Sequence, residues 1–140
     1  MSEDKFQENK KFLKRYKPFL RQLKRLEERL YQLDDRIEST HSARITGMPG
    51  GGIPRGLNDE LGQREELEQR INNLLMESRT IKHEILSTLD HLDNPNQANV
   101  LELFFINDMD LYTISENLDY SFRQANRLYK EGILNVIPMS

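Results

Sequence analysis

The spacing of apolar residues in the first third of the chain constrains the fold more than any other sequence feature. Apolar side chains recur there at alternating steps of four and three residues, at Phe12, Tyr16, Phe19, Leu23, Leu26, Leu30, Leu33 and Ile37. This period lines one side of an α-helix and predicts lengthwise packing on another helix. Because Pro18 lies inside the pattern, we expect a kink or a new helix start near Lys17.

A second apolar seam follows a segment that is unsuited to helix. Residues 42–58 contain five glycines and two prolines, which predicts a long loop. Helical periodicity returns from about Asp59, with polar interruptions at Arg64 and Ser78 and with apolar seam positions at Leu67, Ile71, Leu74, Ile81 and Ile85. The sequence therefore predicts a long, coiled-coil-like antiparallel helical hairpin over residues 1–92, although the same seams can pair between chains.

The run "LDNPNQA" around Pro95 predicts the end of the second long helix near Leu92. A small unit follows over residues 93–140, with a predicted three-helix core at Val100, Leu101, Phe104, Phe105, Ile114, Leu118, Ala125, Leu128 and Ile133. A core of about 45 residues is marginal, so we expect this unit to dock on the hairpin or on a partner chain. The predicted fold class is all-α, a hairpin plus a small helix-turn-helix unit.

Two capping residues in the C-terminal unit predict the helix-turn-helix. Asp110 can cap a first helix, and Ser121 can cap a second one after the turn "NLDY". In such a motif the N-terminal half of the second helix enters the major groove of DNA. The candidate DNA-binding residues are Ser121, Phe122, Arg123, Gln124, Asn126, Arg127 and Lys130.

The chemistry of these side chains suits base and phosphate contacts. Arginine can bind guanine through two hydrogen bonds, glutamine and asparagine can do the same with adenine, and lysine can neutralise a phosphate. Arg123, Gln124 and Arg127 are the leading candidates for these contacts. A helical pair whose polar face is only solvated remains the alternative.

Basic residues are concentrated at the start of the chain. Residues 1–25 carry a net charge of +6, residues 26–90 carry −5 and residues 91–140 carry −4. A possible auxiliary basic face recurs at helical spacing, at Lys10, Lys14, Lys17, Arg21 and Lys24. This strip could follow phosphates or an acidic partner, or it could be a solvated face that keeps the helix soluble.

The segment "VLELFFINDMDLYTISENLDYSFRQANRLYKEGIL", residues 100–134, resembles the fourth region of bacterial sigma factors, which binds the promoter −35 element. With the preceding heptads and the "TGMPGGG" loop, the whole chain resembles phage late-gene transcription regulators of the ArpU and RinA type. The resemblance implies a partner in double-stranded DNA and recruitment of host RNA polymerase. Ser115 and Asp119 depart from the usual Ala and Gly, but Ser115 is small and Asp119 tolerates a left-handed backbone.

Enzymatic chemistry has no candidate residues. The glycine-rich loop lacks the Lys-Ser/Thr pair of a nucleotide-binding loop, and His41, His83 and His91 lack zinc-ligand spacing, so we expect no enzyme, cofactor or metal. The chain start has no apolar signal core and no segment suits a membrane span, which predicts a cytoplasmic protein, and the resemblance to phage regulators implies a bacterial host cell. We expect a homo-oligomer, with a dimer favoured. A small terminase subunit and a coiled-coil adaptor that binds no DNA remain alternative functions.

Overall fold

The computed structural model describes residues 2–42 and 55–138, and no β-strand occurs within these ranges. The predicted all-α class is therefore confirmed. The helices are α1 (Ser2–Leu13), α2 (Lys17–Ser42), α3 (Arg55–Asp90), α4 (Pro95–Phe105), α5 (Leu111–Asn117) and α6 (Phe122–Asn135).

Local backbone chemistry accounts for the residues at which α2 and α3 begin. A 3₁₀ turn over Lys14–Tyr16 separates α1 from α2, which begins at Lys17, so the predicted new start beside Pro18 is confirmed. Helix α3 begins at Arg55, four residues before the predicted start at Asp59. One glycine costs a helix only about 1 kcal/mol, so the helix accommodates Gly56. The rest of the predicted loop, residues 43–54, lies outside the described residues.

The chain divides into two compact units. The first contains residues 1–19 and 77–140, and the second contains residues 20–76. The boundary predicted at 92/93 falls inside the first unit, because α1 and the end of α3 contribute buried side chains such as Leu13, Ile85 and Leu89 to it. The expectation that the small unit docks on the hairpin is thus confirmed, but periodicity did not indicate which hairpin residues take part, since it identifies apolar faces without identifying their partners.

The second unit is a pairing of α2 and α3 along the predicted seams. Its core consists of Leu23, Leu26, Leu33, Leu67 and Ile71, with Leu30, Ile37 and Leu74 packed against it. The polar seam residue Arg64 donates a hydrogen bond to Asp34 and also pairs with Glu68. The hydrogen bond with Asp34 is the main cause that raises the pKa of Arg64. The two seams therefore face each other within one chain in this unit.

The first unit has the larger core. Its buried apolar side chains are Leu13, Tyr16, Ile85, Leu89, Val100, Leu101, Phe105, Ile114, Ala125, Leu128, Tyr129, Ile133 and Val136. All core positions predicted for residues 93–140 are buried except Phe104 and Leu118, which are half-buried. Tyr129 packs against the rings of Phe104 and Phe105, and its burial raises the pKa of its hydroxyl group.

Helices α4 and α6 approach closely in the first unit. A Cβ atom on Gly132 would lie 2.9 Å from Cδ1 of Leu101, so the absent side chain permits this approach. Beside this contact, Nδ2 of Asn135 donates a hydrogen bond of 3.2 Å to Oε1 of the buried Gln97. Helix α6 is thus held against α4 through residues of its C-terminal half.

Candidate nucleic-acid interface

Helix α5 begins at the predicted cap. The carboxylate of Asp110 accepts a hydrogen bond of 2.8 Å from the backbone N–H of Thr113, in the first turn of the helix. This hydrogen bond is the main cause that lowers the pKa of Asp110. The cap satisfies a backbone donor that has no partner inside the helix, so it fixes where α5 starts.

The link between α5 and α6 is a tight turn centred on Asp119. Its φ of 58° is left-handed, and the N–H of Tyr120 donates to the carbonyl of Ser115 at 2.9 Å. The N–H of Asp119 donates to the carbonyl of Glu116 at 3.4 Å, which completes the hydrogen-bond pattern of a Schellman motif. Asp119 therefore adopts the left-handed backbone conformation that glycine usually adopts at such a helix end.

The second departure noted in the sequence, Ser115, is also accommodated. Its side chain is buried, and its hydroxyl group donates a hydrogen bond of 2.6 Å to the carbonyl of Tyr112. This intrahelical bond satisfies the hydroxyl group of the buried side chain. The predictions that Ser115 packs and that Asp119 adopts a left-handed backbone are both confirmed.

Helix α6 begins at Ser121, which is the predicted cap. Its Oγ accepts a hydrogen bond of 3.1 Å from the backbone N–H of Gln124. Ala125 and Leu128 are buried, as the helical period predicts. The remaining predicted site residues share the outward side: Ser121, Phe122, Arg123, Gln124, Arg127 and Lys130 are exposed and Asn126 is half-buried.

Glu131 lines the same surface as the cations of this face, but it forms no ion pair with them within the part of the chain that the structure describes. No ion pair involves Arg123, Arg127 or Lys130 among residues 2–42 and 55–138. Arg15, by contrast, pairs with Glu84 at 2.9 Å. The face can therefore accept an anionic ligand without first breaking an internal ion pair.

An aromatic pair lies next to this face, and sequence reasoning identified only half of it. The rings of Tyr112 and Phe122 have centroids 6.2 Å apart, and the side chains remain 64% and 50% exposed. Tyr112 follows the first residue of α5, and Phe122 is the first residue of α6. No period in the sequence relates these two positions, because the turn geometry brings them together.

Asn9 of α1 is a further residue that the sequence did not reveal. Its Nδ2 donates hydrogen bonds of 2.7 Å to the carbonyl of Ile133 and 3.1 Å to that of Val136. These carbonyls lie at the end of α6, where backbone acceptors lack partners inside the helix. Helix α1 thus holds the end of α6 opposite to the candidate interface.

The members of the predicted auxiliary basic face differ in their surroundings and divide between the two units. Lys10 is half-buried, follows Asn9 directly and has its Nζ 5.8 Å from the ring centroid of Phe6. Lys17 is also half-buried, with its Nζ 4.7 Å from the ring centroid of Phe104. Of the other members of the strip, Lys14 is exposed in the first unit, and Arg21 and Lys24 belong to the second unit.

The inclusion of α1 changes the charge of the unit that carries the interface. Residues 1–19 and 77–140 contain 11 Lys or Arg and 13 Asp or Glu, a net charge of −2. The segment 91–140 alone carries −4. The basic N-terminal helix therefore makes the charge of this unit less unfavourable for DNA binding than the charge of residues 91–140 alone.

Comparison with protein-family models, with curated protein sequences and with solved structures gives no significant match. Across the described ranges, no group of three or more His, Asp or Glu side chains is arranged to hold a metal ion. No helix in those same ranges combines the length and apolar content that a membrane span requires.

Proposed function

We propose that this chain is a sequence-specific DNA-binding transcription regulator of the phage late-gene type. The observation that carries the proposal is the outward face of α6, where Arg123, Gln124 and Arg127 are exposed beside a capped helix start. The same helix buries Ala125 and Leu128 on its other side. The resemblance of residues 100–134 to the fourth region of sigma factors supports the same assignment.

In the proposed mechanism, α5 crosses the phosphate backbone and the N-terminal half of α6 enters the major groove. Arg123 and Arg127 bind guanine edges or phosphates, and Gln124 binds an adenine edge. Lys130 lies two turns into α6 and neutralises a phosphate at the groove wall. The backbone N–H groups at the start of α6 add a preference for negative charge.

Charge limits the affinity of one chain for DNA. A unit with a net charge of −2 gains little long-range attraction to phosphates, so specific contacts must supply most of the binding free energy. A second copy of the chain or a bound RNA polymerase would add contacts. The proposed action is therefore recruitment at a promoter, with host RNA polymerase as the partner and no chemical step.

The test is a mobility-shift assay with DNA fragments from the genomic neighbourhood of the gene, at two salt concentrations and with nonspecific competitor. We expect one fragment to be retained, and Arg127→Ala to lower that affinity by about tenfold, as for a lost guanine contact. Arg79→Ala is the matched control, because Arg79 is an exposed arginine of α3 outside the candidate interface. Circular dichroism would verify that both variants are folded.

The same assay with RNA polymerase added tests whether the protein binds DNA only in a complex with polymerase. Retention that depends on polymerase and is lost in Arg127→Ala supports recruitment. Equal retention of the wild type, Arg127→Ala and Arg79→Ala contradicts the assignment of α6 as the reading helix. No retention under either condition contradicts the proposed function.

A further inference from the structure

The aromatic pair Tyr112–Phe122 has no role in the contacts described so far, although it lies at the start of the proposed reading helix. We propose that Phe122, held by Tyr112, packs against the 5-methyl group of a thymine in the major groove. The DNA site would then require a thymine next to the bases that Arg123 and Gln124 contact. This inference rests on the proposed function and assigns a base type to one residue of the interface.

The position of Phe122 supports this role. It is the first residue of α6, and the N-terminal residues of a reading helix are those that contact base edges. The cap of Ser121 on the N–H of Gln124 fixes the first turn, and Arg123, the next residue, is also exposed. Phe122 therefore lies at the end of α6 that enters the groove in the proposed mechanism, at the edge of the polar contact residues.

The chemistry of the ring selects the ligand. Phenylalanine has no hydrogen-bond donor or acceptor in its side chain, and the thymine methyl group is the apolar feature of the major groove. Half of the Phe122 side chain is exposed, and burying it against a methyl group is favourable. Since the unit carries a net charge of −2, such an apolar contact supplies affinity that charge does not.

Tyr112 restricts the position of the Phe122 ring. The two rings lie 6.2 Å apart and are tilted by 42°, a separation at which aromatic side chains attract each other. Tyr112 extends from the first turn of α5, whose start is fixed by the cap of Asp110. The ring of Phe122 is thus supported from one side and open on the other.

The neighbours of the pair favour DNA over an apolar protein surface as its occupant. Arg123 lies directly beside Phe122 and has no ion pair among the described residues, so a protein surface would need to supply an acidic group there. Two partly exposed rings are also far smaller than a stable protein interface, which buries about 800 Å² per partner.

The test uses the fragment retained in the mobility-shift assay. Each thymine of the bound site is replaced in turn by deoxyuridine, which lacks only the 5-methyl group. We expect the wild-type affinity to fall about threefold to fivefold at one or two positions. The variant Phe122→Ala should bind the thymine and deoxyuridine sites equally at those positions, whereas Phe122→Leu should retain part of the discrimination.

Tyr31→Ala is the control for loss of an exposed aromatic ring, since Tyr31 is 71% exposed and lies in the other unit. It should discriminate thymine from deoxyuridine as the wild type does. Specific DNA binding without any deoxyuridine effect would overturn this inference and leave the proposed function intact. Equal discrimination between the thymine and deoxyuridine sites by the wild type and Phe122→Ala would also overturn it.

Discussion

A hydrogen bond of 2.7 Å joins Asn9 to the carbonyl of Ile133, which lies 124 positions further along the chain. The same amide group donates to the carbonyl of Val136, so one buried side chain satisfies two acceptors at the end of α6. Helix ends buried without such partners are costly. The N-terminal helix is consequently part of the unit that carries the candidate interface.

Replacing Asn9 should therefore destabilise the first unit. Asn9→Ala leaves two carbonyls without their donor, and we expect the free energy of unfolding to fall by about 1–3 kcal/mol. Asn9→Asp should cost more, because an ionised carboxylate can only accept hydrogen bonds and would face two carbonyl oxygens. Urea denaturation measures both, with the exposed Gln7→Ala as a control expected to stay within about 0.5 kcal/mol of the wild type. Equal stability of Asn9→Ala and Gln7→Ala would contradict the bridging role.

Two helical glycines, Gly62 and Gly132, should respond oppositely to alanine. At Gly132 a Cβ atom would meet Leu101 at 2.9 Å and Gln97 at 3.2 Å, so Gly132→Ala should lose about 1–2 kcal/mol through forced separation of α4 and α6. At Gly62 nothing lies within 4 Å, so Gly62→Ala should gain about 1 kcal/mol from helix propensity. Thermal unfolding followed by circular dichroism checks both; a gain at Gly132 would contradict the close packing.

The turn before the candidate reading helix should be improved by glycine. Asp119 has a left-handed φ of 58°, a conformation that costs residues with a Cβ atom about 1–2 kcal/mol. We expect Asp119→Gly to raise the free energy of unfolding by about 0.5–1 kcal/mol and Asp119→Ala to lower it, since alanine lacks the local hydrogen bonding of aspartate. Urea denaturation of both variants would reveal the order; alanine and glycine of equal stability would count against a strained turn.

Asp110 predicts a pH dependence with a defined sign. Its pKa is lowered in the folded chain, chiefly by the hydrogen bond from Thr113, so it stabilises the fold above its unfolded pKa, about 3.9. This contribution disappears as the pH falls through the lower pKa of the folded state. The stability of the wild type relative to Asp110→Asn should be constant near neutral pH and should decline below about pH 4. Urea denaturation from pH 7 to pH 2.5 measures it, and a pH-independent difference would refute the cap as the cause.

Local sequence patterns were sufficient for the helices and their ends. Asp110 and Ser121 cap the helices that the sequence assigned to them, and α2 begins at Lys17 beside Pro18 as predicted. These features depend on interactions within about four residues, so sequence spacing encodes them directly. The early start of α3 at Arg55 was missed because a glycine lowers helix propensity without forbidding helix.

The exposed face of α6 was likewise available from its period. Once Ala125 and Leu128 are assigned to the core, the helical period puts Arg123 and Arg127 on the opposite side of the helix, and both are exposed in the structure. The sequence could also indicate that their chemistry suits DNA, because that depends on side-chain type alone. Whether they bind DNA is the subject of the proposed assay.

The sequence by itself thus determined the all-α class, the helix caps and the outward face of α6, since these depend on short-range periodicity and backbone chemistry. Tertiary structure decided which elements pack together. Asn9 donates a hydrogen bond to the carbonyl of Ile133, 124 positions away, and Leu101 packs against Gly132. The ring of Tyr112 lies beside that of Phe122 because the turn between α5 and α6 brings them together. An apolar pattern predicts that a helix face will be buried, but it does not identify the element that buries it. That information comes from the packed chain, in which the contacts of each buried face can be identified.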